Sequence, residues 1–313
     1  MTTAYAITFP GQGSQSVGML AELAGAYPGV RDTFAEASEA LGLDLWQLSQ
    51  EGSKERLNET ENTQPALLCA GIAVQRVLDA NLETPPVVMA GHSLGEYTAL
   101  VGSGVLKLSD AVRLVAMRGR FMQEAVPAGT GAMAAILGLE DDVVRQVCAD
   151  GARGDVVAPV NFNSPGQVVI AGTAAAVARV AELAKSAGAK RALMLDVSVP
   201  SHCALMKPAA DRLAAAMQGM DFAAPSIPVL HNVDVSEAGA PDAIRQHLVE
   251  QLYSPVLWVD TVQAIAARGV DVILEAGPGK VLAGLIKRID KSLNALPVFD
   301  PASLEKAMES INA

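Results

Sequence analysis

The residues most able to do chemistry are those of Gly91-His92-Ser93-Leu94-Gly95, which follow the apolar run Val87-Val88-Met89-Ala90 and lead into a helical pattern. A serine flanked by glycine at −2 and +2, between a strand and a helix, has the pattern of a nucleophile elbow, whose tight turn exposes the hydroxyl above a helix N-terminus. The chemistry of that arrangement is attack on an activated carbonyl and transient acylation of Ser93. The backbone N–H of Leu94 would face the developing oxyanion. Ser93 then needs a base, and there are four histidines: His92, His202, His231 and His247. His92 is adjacent and would project away from the hydroxyl. His247 falls in a helical stretch. His202 and His231 both end strand-like runs, where reactive groups of open α/β sheets gather, and the residues alone leave the two even. The serine, acid, histidine order of α/β-hydrolases would favour His231.

Arg118 is the next informative residue. On a helix its neighbours three and four positions away are Leu114, Val115, Phe121 and Met122, all apolar, whereas Arg113 and Arg120 have Asp110 or Glu124 within reach. A guanidinium on an apolar face needs an anion, either a buried structural carboxylate or a substrate, and we favour the substrate. Phe9-Pro10-Gly11-Gln12-Gly13-Ser14-Gln15-Ser16-Val17-Gly18 superficially resembles a dinucleotide fingerprint but places Ser16 where the last glycine belongs. Such a loop could instead offer backbone N–H groups to an oxyanion. Glu275-Ala276-Gly277-Pro278-Gly279-Lys280 fails as a phosphate loop, with Leu274 at its first glycine and Val281 at the Ser/Thr position.

The elements that must position these groups alternate between short β-type runs and longer amphipathic ones. Strands are expected at 4–9, 87–90, 227–230 and 270–275, and helices at 66–80, 94–101, 110–124, 240–252 and 256–268, an α/β order. After Pro127-Ala128-Gly129-Thr130-Gly131 the rhythm changes. A strand at 132–137, a helix at 141–149, a hairpin of 155–161 and 167–171, a helix at 174–187 and a strand at 191–199 follow one another. In the last strand Leu193, Leu195, Val197 and Val199 alternate onto one face. The order β-α-β-β-α-β is that of a ferredoxin-like α+β subdomain inserted into a hydrolase-like parallel-sheet core. The expected division is a core of 1–127 and 201–313 and a subdomain of 128–200.

Composition bounds the rest. The 313 residues, half of them hydrophobic, can build a substantial core, yet no apolar stretch approaches the roughly 18 residues of a membrane span. The N-terminus lacks a basic region before its short apolar run and reads as a first strand, so a cytoplasmic protein is expected. Cys69, Cys148 and Cys203 suit neither a disulfide framework nor a metal site and are expected as free thiols. The net charge of −11 argues against a nucleic-acid partner.

Taken together the motifs resemble one family, the malonyl-CoA:acyl-carrier-protein transacylases of bacterial type II fatty-acid synthesis. The carriers of the likeness run end to end: Phe9 to Gln15, Gly91 to Glu96, Arg118 within Met117 to Arg120, Asn161 to Gly166, Val199 to His202, Gln251 to Pro255 and Glu275 to Gly279. The resemblance implies Ser93 as nucleophile, His202 rather than His231 as its base, and Arg118 as the clamp for the malonyl carboxylate. It implies oxyanion N–H groups from Gln12 and Leu94. The imidazole would be oriented by the backbone carbonyl of Gln251, with no triad carboxylate. The partners implied are malonyl-CoA and acyl carrier protein, with no cofactor, metal, membrane or nucleic acid, and a monomer. A stand-alone polyketide-synthase acyltransferase would keep all these residues, although Ser201 before His202 follows the fatty-acid enzymes. A carboxylesterase or a non-catalytic carrier-binding scaffold fits the residues less well.

Overall fold

The computed structural model describes residues 3–196 and 199–312. Among the described residues nine strands form two sheets: β1 (Tyr5–Phe9), β2 (Val88–Gly91), β7 (Val229–Leu230), β8 (Val272–Ala276) and β9 (Asn294–Val298) in one, and β3 (Gly131–Leu137), β4 (Val157–Ser164), β5 (Gln167–Thr173) and β6 (Arg191–Met194) in the other. The first sheet is all parallel, in the order β7-β2-β1-β8-β9. Its strands are apolar without alternation, and every residue of β1, β2 and β8 is buried, as helices on both faces require. The second sheet is antiparallel in the order β4-β5-β3-β6, the ferredoxin-like order, with helices Asp141–Ala152 and Ala174–Ser186 on one side.

Local chemistry accounts for the joints. Ser164 and Gln167 pair across Pro165-Gly166, with Gly166 at φ 69°, the positive value that a turn with proline then glycine at its centre demands. The hairpin is therefore tighter than the expected strands, ending at 161 and resuming at 167, would leave it. β6 is shorter than the expected 191–199 strand and pairs only with β3. As an edge strand it leaves Leu193 and Met194 47% and 54% exposed; Val197 lies outside the described residues. The expected helix at 66–80 extends over Thr60–Asn81 and crosses helix Leu108–Ala125 closely. Gly119 permits that crossing: a Cβ there would sit 2.6 Å from the Thr60 carbonyl oxygen.

The three cysteines are free and buried, and burial pushes the thiols of Cys148 and Cys203 up to about 12 and 11. The carboxyl of Glu275, at the end of β8, accepts the N–H groups of Leu282 at 2.9 Å and Ala283 at 2.8 Å. A side chain of the loop thus fills the helix N-terminus that a phosphate loop would leave open. One ion pairing differs from expectation: Glu124 pairs with Arg212 rather than with Arg120.

Candidate active site

Ser93 stands between β2 and helix Leu94–Gly102, at φ 53° and ψ −108°. Such a backbone for a non-glycine residue needs rigid surroundings. Two glycines allow it: a Cβ on Gly91 would lie 1.9 Å from the Gly95 carbonyl carbon, and one on Gly95 would lie 2.0 Å from the Phe9 carbonyl oxygen. Asn232, just past β7, ties the turn from outside. Its Oδ1 accepts the Ser93 N–H at 2.7 Å and its Nδ2 donates to the Gly91 carbonyl at 2.7 Å.

His202 is brought to Ser93 from across the chain. Its Nε2 lies 2.7 Å from Ser93 Oγ, and its Nδ1 lies 2.7 Å from the Gln251 carbonyl oxygen. A carbonyl can only accept, so Nδ1 carries the proton and the Nε2 lone pair faces the hydroxyl. Burial, then the positive charge of Arg118, pushes the imidazole down to about 3, so it stays neutral near pH 7. His231 goes elsewhere. It is fully buried, with Nδ1 2.7 Å from Glu96 Oε1 and its ring stacked on His247 at 4.3 Å. His92 turns from the hydroxyl as expected, its Nε2 2.8 Å from Asn163 Oδ1.

Arg118 is 1% exposed and makes no ion pair among the described residues. Nη1 donates to Gln64 Oε1 at 2.8 Å and Nη2 to Gln251 Oε1 at 3.0 Å, while Nη2 also reaches Ser93 Oγ at 3.4 Å. Its guanidinium stacks over Tyr97 at 5.2 Å. Burial holds the group below the usual arginine range. Among the described residues no carboxylate lies within ion-pair distance of Arg118, the buried Glu96 reaching it only through Gln251, and the charge faces the reactive hydroxyl.

Leu94 is the first residue of its helix, where a backbone N–H has no carbonyl one turn back. Gln12 lies in the loop after β1 with no acceptor for its own backbone N–H among the described residues; its side chain donates to Thr60. Gly11 brings that loop against the elbow, since a Cβ there would meet the His92 carbonyl oxygen at 2.5 Å. Gln12, Ser93, Leu94, Arg118 and His202 line one cavity of about 790 Å³, whose other wall includes Met133, Asn161, Leu195 and Asp196 from the antiparallel-sheet side.

Four side chains of the site have no role assigned from sequence: those of Gln64, Glu96, Asn232 and Gln251. Glu96 was within reach of sequence, because its helical neighbours Ala99 and Leu100 are apolar, the pattern that singled out Arg118. The amides carry no such local sign.

A parallel sheet that presents a serine hydroxyl to a neutral imidazole at its carboxyl edge is the construction of enzymes that carry acyl groups on serine. A family model described as acyl transferase domain matches residues 7–304, and the chain belongs to that family. The malonyl CoA-acyl carrier protein transacylase of Escherichia coli K12 is 59% identical over 98% of this chain and 99% of its own length. That of Bacillus subtilis is 46% identical over 98% and 96%. Among solved structures, the Coxiella burnetii malonyl CoA-acyl carrier protein transacylase superposes with a TM-score of 0.99 at 49% identity, covering 100% of this chain and 99% of that one. A malonyl-transacylase in complex with a type II polyketide-synthase acyl-carrier protein gives 0.97 at 56% identity, covering 98% and 99%.

Proposed function

We propose that this chain moves the malonyl group of malonyl-CoA to the phosphopantetheine thiol of an acyl carrier protein, in fatty-acid biosynthesis, with Ser93 carrying the group between the two. In the first half, His202 Nε2 takes the hydroxyl proton as Ser93 Oγ bonds to the thioester carbonyl carbon. The oxyanion rests on the backbone N–H groups of Gln12 and Leu94. The C–S bond breaks and His202 returns its proton to the departing coenzyme A sulfur. In the second half the carrier thiol gives its proton to His202 as its sulfur bonds to the ester carbonyl carbon, the C–Oγ bond breaks, and the proton goes to the departing Ser93 Oγ. The Gln251 carbonyl oxygen keeps the imidazole in the required tautomer throughout. The chain divides on this reading into a core of 1–127 and 201–313 and a subdomain of 128–200, supported by two sheets that share no strand.

The observation that carries the reading is Arg118, a buried guanidinium without an ion pair among the described residues and 3.4 Å from Ser93 Oγ. A malonyl ester on Ser93 supplies a carboxylate to that charge; an acetyl ester supplies none. The reading places the protein in the cytoplasm, and among the described residues no helix is long and apolar enough to cross a membrane. Intact mass after mixing with malonyl-CoA tests it: one malonyl group on the wild type, discharged by holo carrier protein. Release of the group to water as fast as to carrier would mean an esterase instead. The polyketide reading changes the carrier and with it the choice of extender unit, and its support is the relative solved with such a carrier. A larger kcat/KM for a polyketide carrier than for a fatty-acid carrier would select it.

A further inference from the structure

The Glu96 carboxyl takes no part in the steps above, yet it is wholly buried and three nitrogens converge on it. Oε2 accepts from Gln251 Nε2 at 2.8 Å and from the Asn232 backbone N–H at 3.0 Å, and Oε1 lies 2.7 Å from His231 Nδ1. The His231 ring, stacked on His247 with planes 12° apart, closes that side. What Glu96 does follows from the amide it meets. Gln251 commits both Nε2 hydrogens, one to Glu96 and one to the Ser93 carbonyl oxygen at 3.0 Å, and leaves Oε1 to accept from Arg118 Nη2 at 3.0 Å.

An amide turned by half a rotation would face its oxygen to the Glu96 carboxyl and the Ser93 carbonyl, and its NH₂ to the guanidinium. All three contacts would then be acceptor to acceptor or donor to donor. The other amide on Arg118 is less firmly fixed, since the Gln64 Nε2 meets only the Met122 sulfur, at 3.6 Å. Orientation of the guanidinium fork thus traces back to Glu96.

We propose that Glu96 is a positioning residue for acyl-group selection. It holds the Gln251 amide in the one sense that accepts from Arg118, and so keeps Nη2 aimed beside Ser93, where an acyl carboxylate would lie. The preference for carboxylated over plain acyl groups depends on it. This rests on Arg118 acting as the carboxylate clamp of the proposed function.

The Glu96→Leu variant, which keeps much of the side-chain volume and removes the acceptor, tests it through the ratio of kcat/KM for malonyl-CoA to that for acetyl-CoA. The expected result is a ratio lowered about 10- to 100-fold, the scale of a hydrogen bond to a charged group. An unchanged ratio, with both thioesters declining together, overturns the proposal. Should Glu96→Leu not fold, Glu96→Asp withdraws the carboxyl by one methylene with its charge kept; the ratio should fall there too, and an unchanged ratio overturns the proposal equally. In an Arg118→Ala background Glu96→Leu should lower the ratio no further, because it acts through the lost group. A further fall there refutes action through Arg118. Arg118→Ala alone separates the two readings. If it leaves the ratio unchanged, the clamp itself fails; if it lowers the ratio while Glu96→Leu does not, only the role of Glu96 fails.

Discussion

The Ser93 hydroxyl and the His202 imidazole meet at 2.7 Å across 109 positions of sequence, and both residues hold positive φ, 53° and 64°. Strain of that kind, on the order of 1 to 3 kcal/mol per residue, persists only where neighbours leave no alternative. Asn232 fixes one of the pair, and the Leu252 carbonyl, which accepts the His202 N–H at 3.0 Å, fixes the other. Malonyl-CoA should therefore add one malonyl mass to the wild type and none to Ser93→Ala. His202→Ala should still label, but about 10²- to 10⁴-fold more slowly. Labelling of Ser93→Ala would assign the nucleophile elsewhere.

Arg118→Ala should lower kcat/KM for malonyl-CoA by about 30-fold to several thousand-fold, the loss of a charge-assisted pair in a mostly dry site. Acetyl-CoA should suffer far less. Among the described residues Arg118 has no ion pair to abandon, so the melting temperature should fall by no more than the loss of its hydrogen bonds to Gln64 and Gln251 requires. Parallel losses on both thioesters, with a larger fall in melting temperature, would return Arg118 to a structural role.

The buried His202 predicts a pH dependence with a definite sign. Its folded value is pushed down to about 3, first by burial and then by the Arg118 charge, against an ordinary value of about 6.5. The acid limb of serine acylation should lie well below pH 6.5. Removing the Arg118 charge should move that limb to higher pH, measurable with acetyl-CoA in Arg118→Ala. Between those two values the unfolded chain binds a proton that the folded chain does not. This contribution to stability is therefore complete above about pH 6.5 and is lost as pH falls toward 3. A limb unmoved by Arg118→Ala would show that its charge is not felt at the imidazole.

Gly95→Ala tests the elbow. The new Cβ would lie 2.0 Å from the Phe9 carbonyl oxygen, so β1 and the helix after Ser93 must separate. We expect a loss of at least 1 to 3 kcal/mol in stability, roughly the cost of overpacking, together with loss of acylation. Normal stability by thermal unfolding would mean that the loop yields freely.

Carrier docking should depend on local basicity, since the chain is net acidic. Helix Val281–Ile289 ends in Lys287 and Arg288, and Arg288 donates to Gln167 Oε1 at 2.7 Å across the junction of the two sheets. Lys287→Glu should raise KM for carrier protein at low salt and less at high salt, with KM for malonyl-CoA unchanged. An unchanged carrier KM at low salt would exclude this patch.

Much of the fold and of the site is legible in the amino-acid sequence. The strand, Ser93 and helix are contiguous, so local spacing carries them, and the change of rhythm after Gly131 carries the antiparallel sheet. The choice between His202 and His231 is not legible from spacing, because both follow strand-like runs and only tertiary packing decides which ring meets Ser93. The family resemblance selects His202, whereas the hydrolase order points to His231, whose ring instead faces Glu96. Gln64, Asn232 and the Gln251 side chain act through hydrogen bonds to residues 54, 139 and 133 positions away. An uncharged amide leaves no mark in hydrophobic patterning, so such partners are invisible to periodicity.

The cavity wall has a consequence for how such a molecule can change. Ser93 and the loop of Gln12 follow strands of the parallel sheet, and His202 lies on the connection from β6 back to it, while Met133, Asn161 and Leu195 face them from the antiparallel-sheet side, and the two sheets share no strand. Substitutions at those three side chains are expected to alter which acyl groups fit, while the hydrogen bonds that hold the turn of Ser93 and orient His202 come from Asn232, Gln251 and Leu252, none of them among the three. Selectivity can then drift by single substitutions while the reaction centre is inherited intact, the separation of site from scaffold that lets one fold serve many substrates.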